Sequence, residues 1–330
     1  MTNGNEREPA DELTYSKAGV DIADSEAATA ALVSAVGGSA ASSDGDYAGL
    51  LDIGDRYLAL ATDGVGTKLL VAEAVGDYST IGIDCIAMNA NDLVAAGVKP
   101  VAFVDYLAVE NPDEGVAAQV GTGLSVGAKE AGIALVGGET AVMPEVITGI
   151  DLAGTCAGLS LKDTVFEGGA EPGDQLVGWS SSGIHSNGLT LAREAAKREG
   201  GYHETFPFEG YETVGESLLE PTRLYTELLD PMRSHGTRGA AHITGGGWTN
   251  LERLGEHRYV IEDPCPSQSV FEFVQGAGVT DEEMHRTFNM GTGFVAALSD
   301  GAEALADETG GRVIGRVEQG AGIEIRGLSL

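Results

Sequence analysis

The sequence predicts two domains that mix α+β and α/β architecture, and three observations lead there. Its 330 residues are 42% hydrophobic, enough material for two cores of ordinary size. Short apolar runs alternate with segments of helical periodicity, as layered helices and sheets require. A turn-rich stretch, Glu167-Gly168-Gly169-Ala170-Glu171-Pro172-Gly173-Asp174, interrupts that alternation and places a domain boundary near 165. The expected organisation is a disordered acidic leader over 1–12, a first domain over 13–165 and a second over 166–330.

In the first domain the run Tyr57-Leu58-Ala59-Leu60-Ala61 predicts a buried strand over 57–62. A Gly/Ser/Asp cluster over 37–46 reads as a mobile loop. A helix is expected over about 80–97, where Ile86, Ala90, Leu93 and Gly97 recur at helical spacing as a packing stripe. Asp84, Met88 and Asn91 fall on its other side with Asp92 beside them, a face that is either simply solvated or built for a ligand. A strand over 101–109, a helix over about 113–131 and strands over 133–136 and about 146–160 complete this domain. The second domain reads as strand 175–179, helix 188–199, helices within 215–235, helix about 247–255, strand 257–262, helix 268–276, strand 293–298, helix 301–309 and strand 312–317. No short repeat is visible.

Charge narrows the function classes. There are 51 Asp and Glu against 19 Lys and Arg, a net charge of −32, and the acids are spread along the chain rather than gathered in a tail. Lys17, Lys68, Lys99, Lys129, Lys162 and Lys197 are the only lysines. Normal hydrophobic content argues against disorder as the cause. Such a surface repels itself in dilute buffer, whereas at about 1 M salt the Debye length falls to about 3 Å and the repulsion is screened, so a high-salt cytoplasm is expected. Nucleic acid is excluded as a partner for want of a basic face. No membrane association is expected, because no run approaches the roughly 20 apolar residues of a span, and the polar, acidic start does not resemble a signal peptide. Cys85, Cys156 and Cys265 lie far apart, which argues against a zinc site and a disulfide framework and leaves them as buried thiols.

The chemistry-bearing residues cluster at the ends of predicted strands. Thr62-Asp63-Gly64-Val65-Gly66-Thr67-Lys68 brings together a carboxylate, two glycines, a hydroxyl and an ammonium, the groups that a nucleoside triphosphate and its metal require. It is not a Walker A loop, because Lys68 follows Thr67 rather than Gly. A Gly-rich turn with a solvated Asp and Lys is the competing reading. Asp105 in Phe103-Val104-Asp105-Tyr106 and Glu139 in Leu135-Val136-Gly137-Gly138-Glu139-Thr140 also follow apolar runs. Asp63, Asp84, Asp92, Asp105 and Glu139 therefore point to a divalent cation that neutralises them, against the alternative that some cap helices. In the second half, Ser180-Ser181-Ser182-Gly183-Ile184-His185-Ser186-Asn187-Gly188 leads into a helix and suits an anion, with His185 either a proton donor or a structural hydrogen-bonder. Thr244-Gly245-Gly246-Gly247-Trp248 is a second Gly-rich helix entry, suited to a sugar phosphate.

Together these segments resemble the phosphoribosylformylglycinamidine cyclo-ligase family, also called aminoimidazole ribonucleotide synthetase or PurM. The matching blocks are Ala18-Gly19-Val20-Asp21-Ile22, 62–69, Thr80-Ile81-Gly82-Ile83-Asp84 through Asn91-Asp92-Leu93, 103–106, 135–140 with Met143-Pro144, 181–188, Glu220-Pro221-Thr222-Arg223-Leu224-Tyr225, His242-Ile243-Thr244-Gly245-Gly246-Gly247 and Arg286-Thr287-Phe288-Asn289-Met290-Gly291. They run in order and with similar spacing from about 14 to 317. Three departures stand out. Lys17 comes one position later than the family's lysine, Asp46-Tyr47-Ala48-Gly49-Leu50-Leu51 replaces a Gly-Gly-Phe-Gly loop, and Ile184 follows Gly183 where Pro or Leu is usual.

The resemblance implies a PurM-like fold: an N-terminal α+β domain whose sheet pairs across a homodimer, a C-terminal α/β domain, and the nucleotide in the cleft between them. It implies ATP-dependent ring closure of formylglycinamidine ribonucleotide (FGAM) to aminoimidazole ribonucleotide (AIR), with Mg²⁺ as cofactor and a K⁺ requirement left open. Asp63, Asp92 and Glu139 would hold the metal, with Asp84 and Asp105 as further ligands or supports. Gly64, Gly66, Thr67, Lys68, Asn91, Gly137 and Gly138 would line the nucleotide, Lys68 offsetting phosphate charge. His185 and Asn187 would face the reacting amide, and Ser181, Ser182, Thr244, Gly245, Gly246 and Gly247 the ribose phosphate. A related ATP-using enzyme, such as thiamine-phosphate kinase, selenophosphate synthetase or a hydrogenase-maturation dehydratase, shares the Asp-Gly and Gly-Gly-acid blocks. A non-catalytic nucleotide-binding module is the third reading.

Overall fold

The computed structural model describes residues 13–14, 18, 22–36, 47–166 and 169–330. The expected leader over 1–12, Lys17, the loop over 37–46 and Glu167-Gly168 lie outside the described residues. Helix α1 (Ile22–Val36) precedes a sheet of five strands, β1 (Gly49–Asp52), β2 (Arg56–Gly64), β3 (Pro100–Val109), β4 (Ala134–Val142) and β5 (Ile150–Leu161), in spatial order β1-β2-β5-β3-β4. Neighbours run antiparallel except β3 and β4, which are parallel. Helices α2 (Lys68–Val75), α3 (Ile81–Ala95) and α4 (Glu114–Ala131) cover one face. The period of two explains the sidedness: along β5, Leu152, Gly154, Cys156 and Ser160 turn toward α3, while the alternate residues face the open side.

Helix α3 is the pivot of the molecule. It lies on β2 and β5, takes α4 along one flank and reaches the second sheet. Glycines set its closeness to α4: a Cβ on Gly82 would stand 2.1 Å from the Leu124 amide nitrogen, and one on Gly123 2.7 Å from the Ser79 carbonyl. The polar side of α3 is therefore not a solvated face. Asp84, Asn89 and Asn91 are fully buried.

The second sheet comprises β6 (Gln175–Ser180), β7 (Gly239–His242), β8 (Arg258–Ile261), β9 (Thr292–Leu298), β10 (Arg312–Glu318), β11 (Gly322–Ile325) and β12 (Leu328–Ser329), in order β12-β11-β8-β10-β6-β9-β7. Only β8 and β11 are parallel. The same half of the chain carries α5 (Leu189–Arg198), α6 (Val214–Leu219), α7 (Leu229–Ser234), α8 (Ser269–Gly276), α9 (Asp281–Thr287) and α10 (Ala302–Thr309), of which α10 packs on β6 and β10 while α5 and α6 pack on α2 and share the core of the first sheet. β9 is buried along its whole length, as its run Thr292 to Leu298 of small and apolar side chains allows.

Some elements differ from expectation. β4 does not stop at 136 but continues through Gly137, Gly138 and Glu139, because β3 keeps pairing with it. β5 starts at Ile150 rather than 146, since a turn ends at Gly149 with a φ of +76°. The helix expected over 247–255 is a 3-10 helix, Gly247–Leu254.

Candidate functional site

The C-terminal end of β2, the last turns of α3 and the end of β7 come together where the two sheets meet. Asp63 sits at that strand end, half-buried, with its Oδ1 accepting the Gly64 N–H at 2.7 Å. Burial, and then the negative charge of Asp92 from α3, push its carboxyl above the ordinary carboxylate range. Asp92 Oδ1 lies 2.9 Å from His242 Nδ1 at the end of β7. The other ring nitrogen, Nε2, is 3.3 Å from Asn91 Nδ2, so the amide donates there and the network assigns the imidazole proton to Nδ1, toward Asp92. The His242 carbonyl accepts from the Tyr47 hydroxyl at 3.2 Å, and the Arg253 guanidinium stacks 4.6 Å above the Tyr47 ring. Arg253 and His242 both ease the ionisation of Asp63.

Of the five acids predicted to share a metal, the fold brings two together. Asp63 and Asp105 do occupy one row of the first sheet, both opposite Gly154, and burial raises the Asp105 carboxyl as well. Gly138 pairs with Asp105 and leaves room for its carboxylate, since a Cβ there would lie 2.4 Å from Asp105 Oδ1 and push that side chain aside. The Phe103 ring fills the space over Gly154, where an added Cβ would come within 2.0 Å. Glu139 is placed differently. It pairs with Tyr106, one residue along from Gly138, and strand alternation turns it to the open face of the sheet, away from Asp63. Asp84 turns one oxygen to protein contacts, its Oδ1 taking Lys68 Nζ at 2.9 Å and the Thr222 N–H at 2.8 Å, while its Oδ2 is buried without a hydrogen-bond partner among the described residues. Among the described residues no group of three or more His, Cys, Asp or Glu stands ready to hold a metal.

Several other predicted ligands are also engaged elsewhere. Lys68 is fully buried and donates to Asp84 and to the Glu220 carbonyl, so it does not project toward a phosphate. Asn91 accepts from the Tyr225 N–H and donates to the Arg223 carbonyl, both at 2.9 Å. Ser181 Oγ donates to Asn289 Oδ1, and Ser182 Oγ to the Pro221 carbonyl. Gly64, Gly66 and Thr67 lie beside Asp63, with Gly66 exposed at a φ of +68°, while Gly137 and Gly138 are exposed on β4.

His185 is not at the cleft surface. It is fully buried, its Nε2 accepts the Ser182 N–H at 3.2 Å, and its ring forms a triangle with those of Tyr225 and His242, the three centroid separations being 6.3, 6.5 and 6.3 Å. Burial, and then His242, hold its pKa well below the ordinary value, so it is neutral. Its own φ is +65°, an unusual conformation that tightens the loop. Gly293 makes room, since a Cβ there would stand 2.1 Å from the Tyr225 hydroxyl and 2.7 Å from His185 Cε1. Asn187 remains half-exposed, with Met88 and Gly245 beside it. In the glycine run, Gly247 is pinned under α9, where a Cβ would meet the His285 carbonyl at 2.3 Å, and Gly246 turns with a φ of +92°. Thr244 Oγ1 donates to Asn250 Oδ1, and Gly245 is exposed.

The sequence reasoning missed His242, Tyr47 and Arg253 as members of the cleft. His242 carried a signal, standing immediately before the glycine run, whereas the reach of Arg253 across to Tyr47 has none.

Comparison with known proteins agrees with this architecture. Residues 45–160 match the family described as AIR synthase related protein, N-terminal domain, and residues 171–327 its C-terminal domain. The phosphoribosylformylglycinamidine cyclo-ligase of Methanosarcina acetivorans is 46% identical over 326 residues, covering 96% of this chain and 98% of that one. A crystal structure of tt0281 from Thermus thermophilus aligns with a TM-score of 0.64 at 25% identity, over 92% of this chain and 97% of that one. AaThiL, solved in complex with AMPPCP and TMP, aligns with a TM-score of 0.65 over 91% and 93% of the two chains, and at 18% identity it shares the fold. Two matched domains and a near full-length relative at this identity lead to one conclusion: the chain belongs to the AIR synthase family.

Proposed function

We propose that the chain closes FGAM to AIR at the expense of ATP, releasing ADP and phosphate. The observation that carries this is the 46% identity to a curated cyclo-ligase along 96% of the chain, with both domains matched in order. The formamide oxygen is a poor leaving group. Its attack on the γ-phosphorus expels ADP, the amidine nitrogen then adds to the activated carbon, and the oxygen departs as phosphate while a proton is lost from the new ring.

Asp63 and Asp92 are the residues to hold Mg²⁺. The donor set fits, since this ion prefers hard oxygen and usually takes one or two carboxylates, completing its shell with water and substrate phosphate. When bound, it offsets charge on the transferred phosphoryl group. Asp92 is kept in orientation by His242, which is itself fixed by Asn91. Arg253 supplies a cation beside the pair, the part the sequence suggested for Lys68. Asn187, half-exposed beside Gly245, is the side chain to meet the reacting amide, and Gly245 with Gly246 the backbone to meet the ribose phosphate. His185 supports the loop from below.

The reading also includes a domain division near 165, a homodimer formed on the open face of the first sheet, and work in a high-salt cytoplasm. Leu60, Val104 and Tyr106 on that face are 47%, 40% and 43% exposed, and apolar side chains left open on one sheet face favour a partner surface. Glu139 stands on the same face, at the subunit boundary of such a dimer. The test of function is ADP release with FGAM against thiamine phosphate as acceptor. Turnover with FGAM alone is expected; turnover with thiamine phosphate alone would replace the cyclo-ligase reading with the kinase one.

A further inference from the structure

A buried chain of hydrogen bonds joins the first domain to the loop that carries Asn187, and it uses the two residues whose charges first suggested ligand binding. Asp84 Oδ1 accepts from Lys68 Nζ at 2.9 Å, from the Thr222 N–H at 2.8 Å and from Thr222 Oγ1 at 2.6 Å. Lys68 Nζ donates in addition to the Glu220 carbonyl at 2.6 Å. Lys68 and Asp84 are fully buried and Thr222 nearly so. The segment 220–225 thus held grips the 180–188 loop in turn. Ser182 Oγ donates to the Pro221 carbonyl at 2.6 Å, Ser186 and Thr222 share a hydroxyl contact of 3.3 Å, and the Arg223 guanidinium and Tyr225 hydroxyl both donate to the Ser180 carbonyl.

We infer that Lys68, Asp84 and Thr222 are positioning residues, a clamp by which the first domain fixes segment 220–225 and, through it, the placement of Asn187 in the cleft. The physical reason lies in desolvation. A buried carboxylate and ammonium tolerate no loosening, because each would be left uncompensated, so whatever is bonded to them is held in one place. Three donors on a single carboxylate oxygen leave segment 220–225 little freedom to slide against α3. Displacing a substrate-contacting group by about 1 Å costs on the order of a hundredfold in rate, so such a clamp acts on turnover rather than on nucleotide affinity.

The clamp is interpreted through the cyclo-ligase reading, and the experiment keeps the two separable. Thr222→Val is nearly isosteric and removes one bond to Asp84, while Thr222→Ser restores the hydroxyl. In the full-length enzyme, Thr222→Val is expected to lower kcat with FGAM by about tenfold or more, with the ADP dissociation constant measured by calorimetry unchanged. Thr222→Ser should return kcat toward wild type. Hydrogen exchange of amides 180–188 should quicken in the Val variant and not in the Ser variant, a readout that holds whatever substrate the enzyme takes. Unaltered exchange in 180–188 and unaltered kcat in Thr222→Val would overturn the clamp. Weakened ADP binding in Lys68→Met, with Thr222→Val silent, would overturn it in favour of a direct phosphate contact by Lys68. Absence of FGAM turnover in the wild type would sink the cyclo-ligase reading alone.

Discussion

Asp63 concentrates the electrostatic cost of the cleft. Its carboxyl titrates above the ordinary range because it is buried and faces Asp92. A group whose pKa is higher in the folded state than in the unfolded chain, where Asp titrates at about 3.9, contributes stability that is present below that value and lost as pH rises through the folded one. The metal-free protein is therefore expected to lose stability through this group between acid and neutral pH. Asp63→Asn should flatten that part of a Tm-against-pH curve and also abolish FGAM-dependent ADP release; a curve identical to wild type with near-normal turnover would take Asp63 out of the site. His242 acts one contact further back. Replacing it by Gln removes the Nδ1–H bond to Asp92, and loss of such a support typically lowers metal affinity about tenfold to a hundredfold. Mn²⁺ titration followed by electron paramagnetic resonance measures this directly, and an affinity equal to wild type would show that Asp92 keeps its orientation unaided.

At the scale of elements, α3 is where sequence and structure part company. The strand end that carries Asp63 is readable, because an apolar run that stops at an acid leaves that acid at the rim of a sheet, whereas Asp105 and Glu139, also expected at strand ends, lie within β3 and β4, whose pairing carries on past them. The helix is readable too, but its polar side looks the same whether it meets water or a second domain. Only the assembled fold shows Asp84 and Asn91 buried against 220–225. Glu139 fails for a simpler reason: moving one residue along a strand reverses the face, and the sequence does not mark where β4 pairs with β3. What the sequence does carry at this scale is the glycine spacing that lets α3 and α4 touch through their backbones. Gly82→Val would force side-chain atoms onto the Leu124 amide, and overpacking of this kind costs about 1–3 kcal/mol. A urea midpoint lowered accordingly is expected, and an unchanged midpoint would mean that the helices can separate without loss.

Two opposing features meet at the level of the whole molecule. The open face of the first sheet presents Leu60, Val104 and Tyr106 to solvent, while the chain as a whole bears a net charge of −32. In the proposed dimer, apolar burial would draw two copies together on that face, and the summed charge would drive them apart over distances set by the Debye length, which shrinks from about 30 Å at 0.01 M salt to about 3 Å at 1 M. Association and stability should therefore rise together with ionic strength. Sedimentation equilibrium is expected to find dimers in molar KCl and a growing monomer fraction in dilute buffer, with Tm falling in parallel. The substitution pair Leu60→Glu and Tyr106→Glu separates the two contributions: it should leave the protein monomeric even in molar KCl, because screening cannot replace the apolar contact that has been removed. A variant that still dimerises would move the subunit interface to another surface, and a wild-type Tm indifferent to KCl would remove the high-salt reading of the acidic composition.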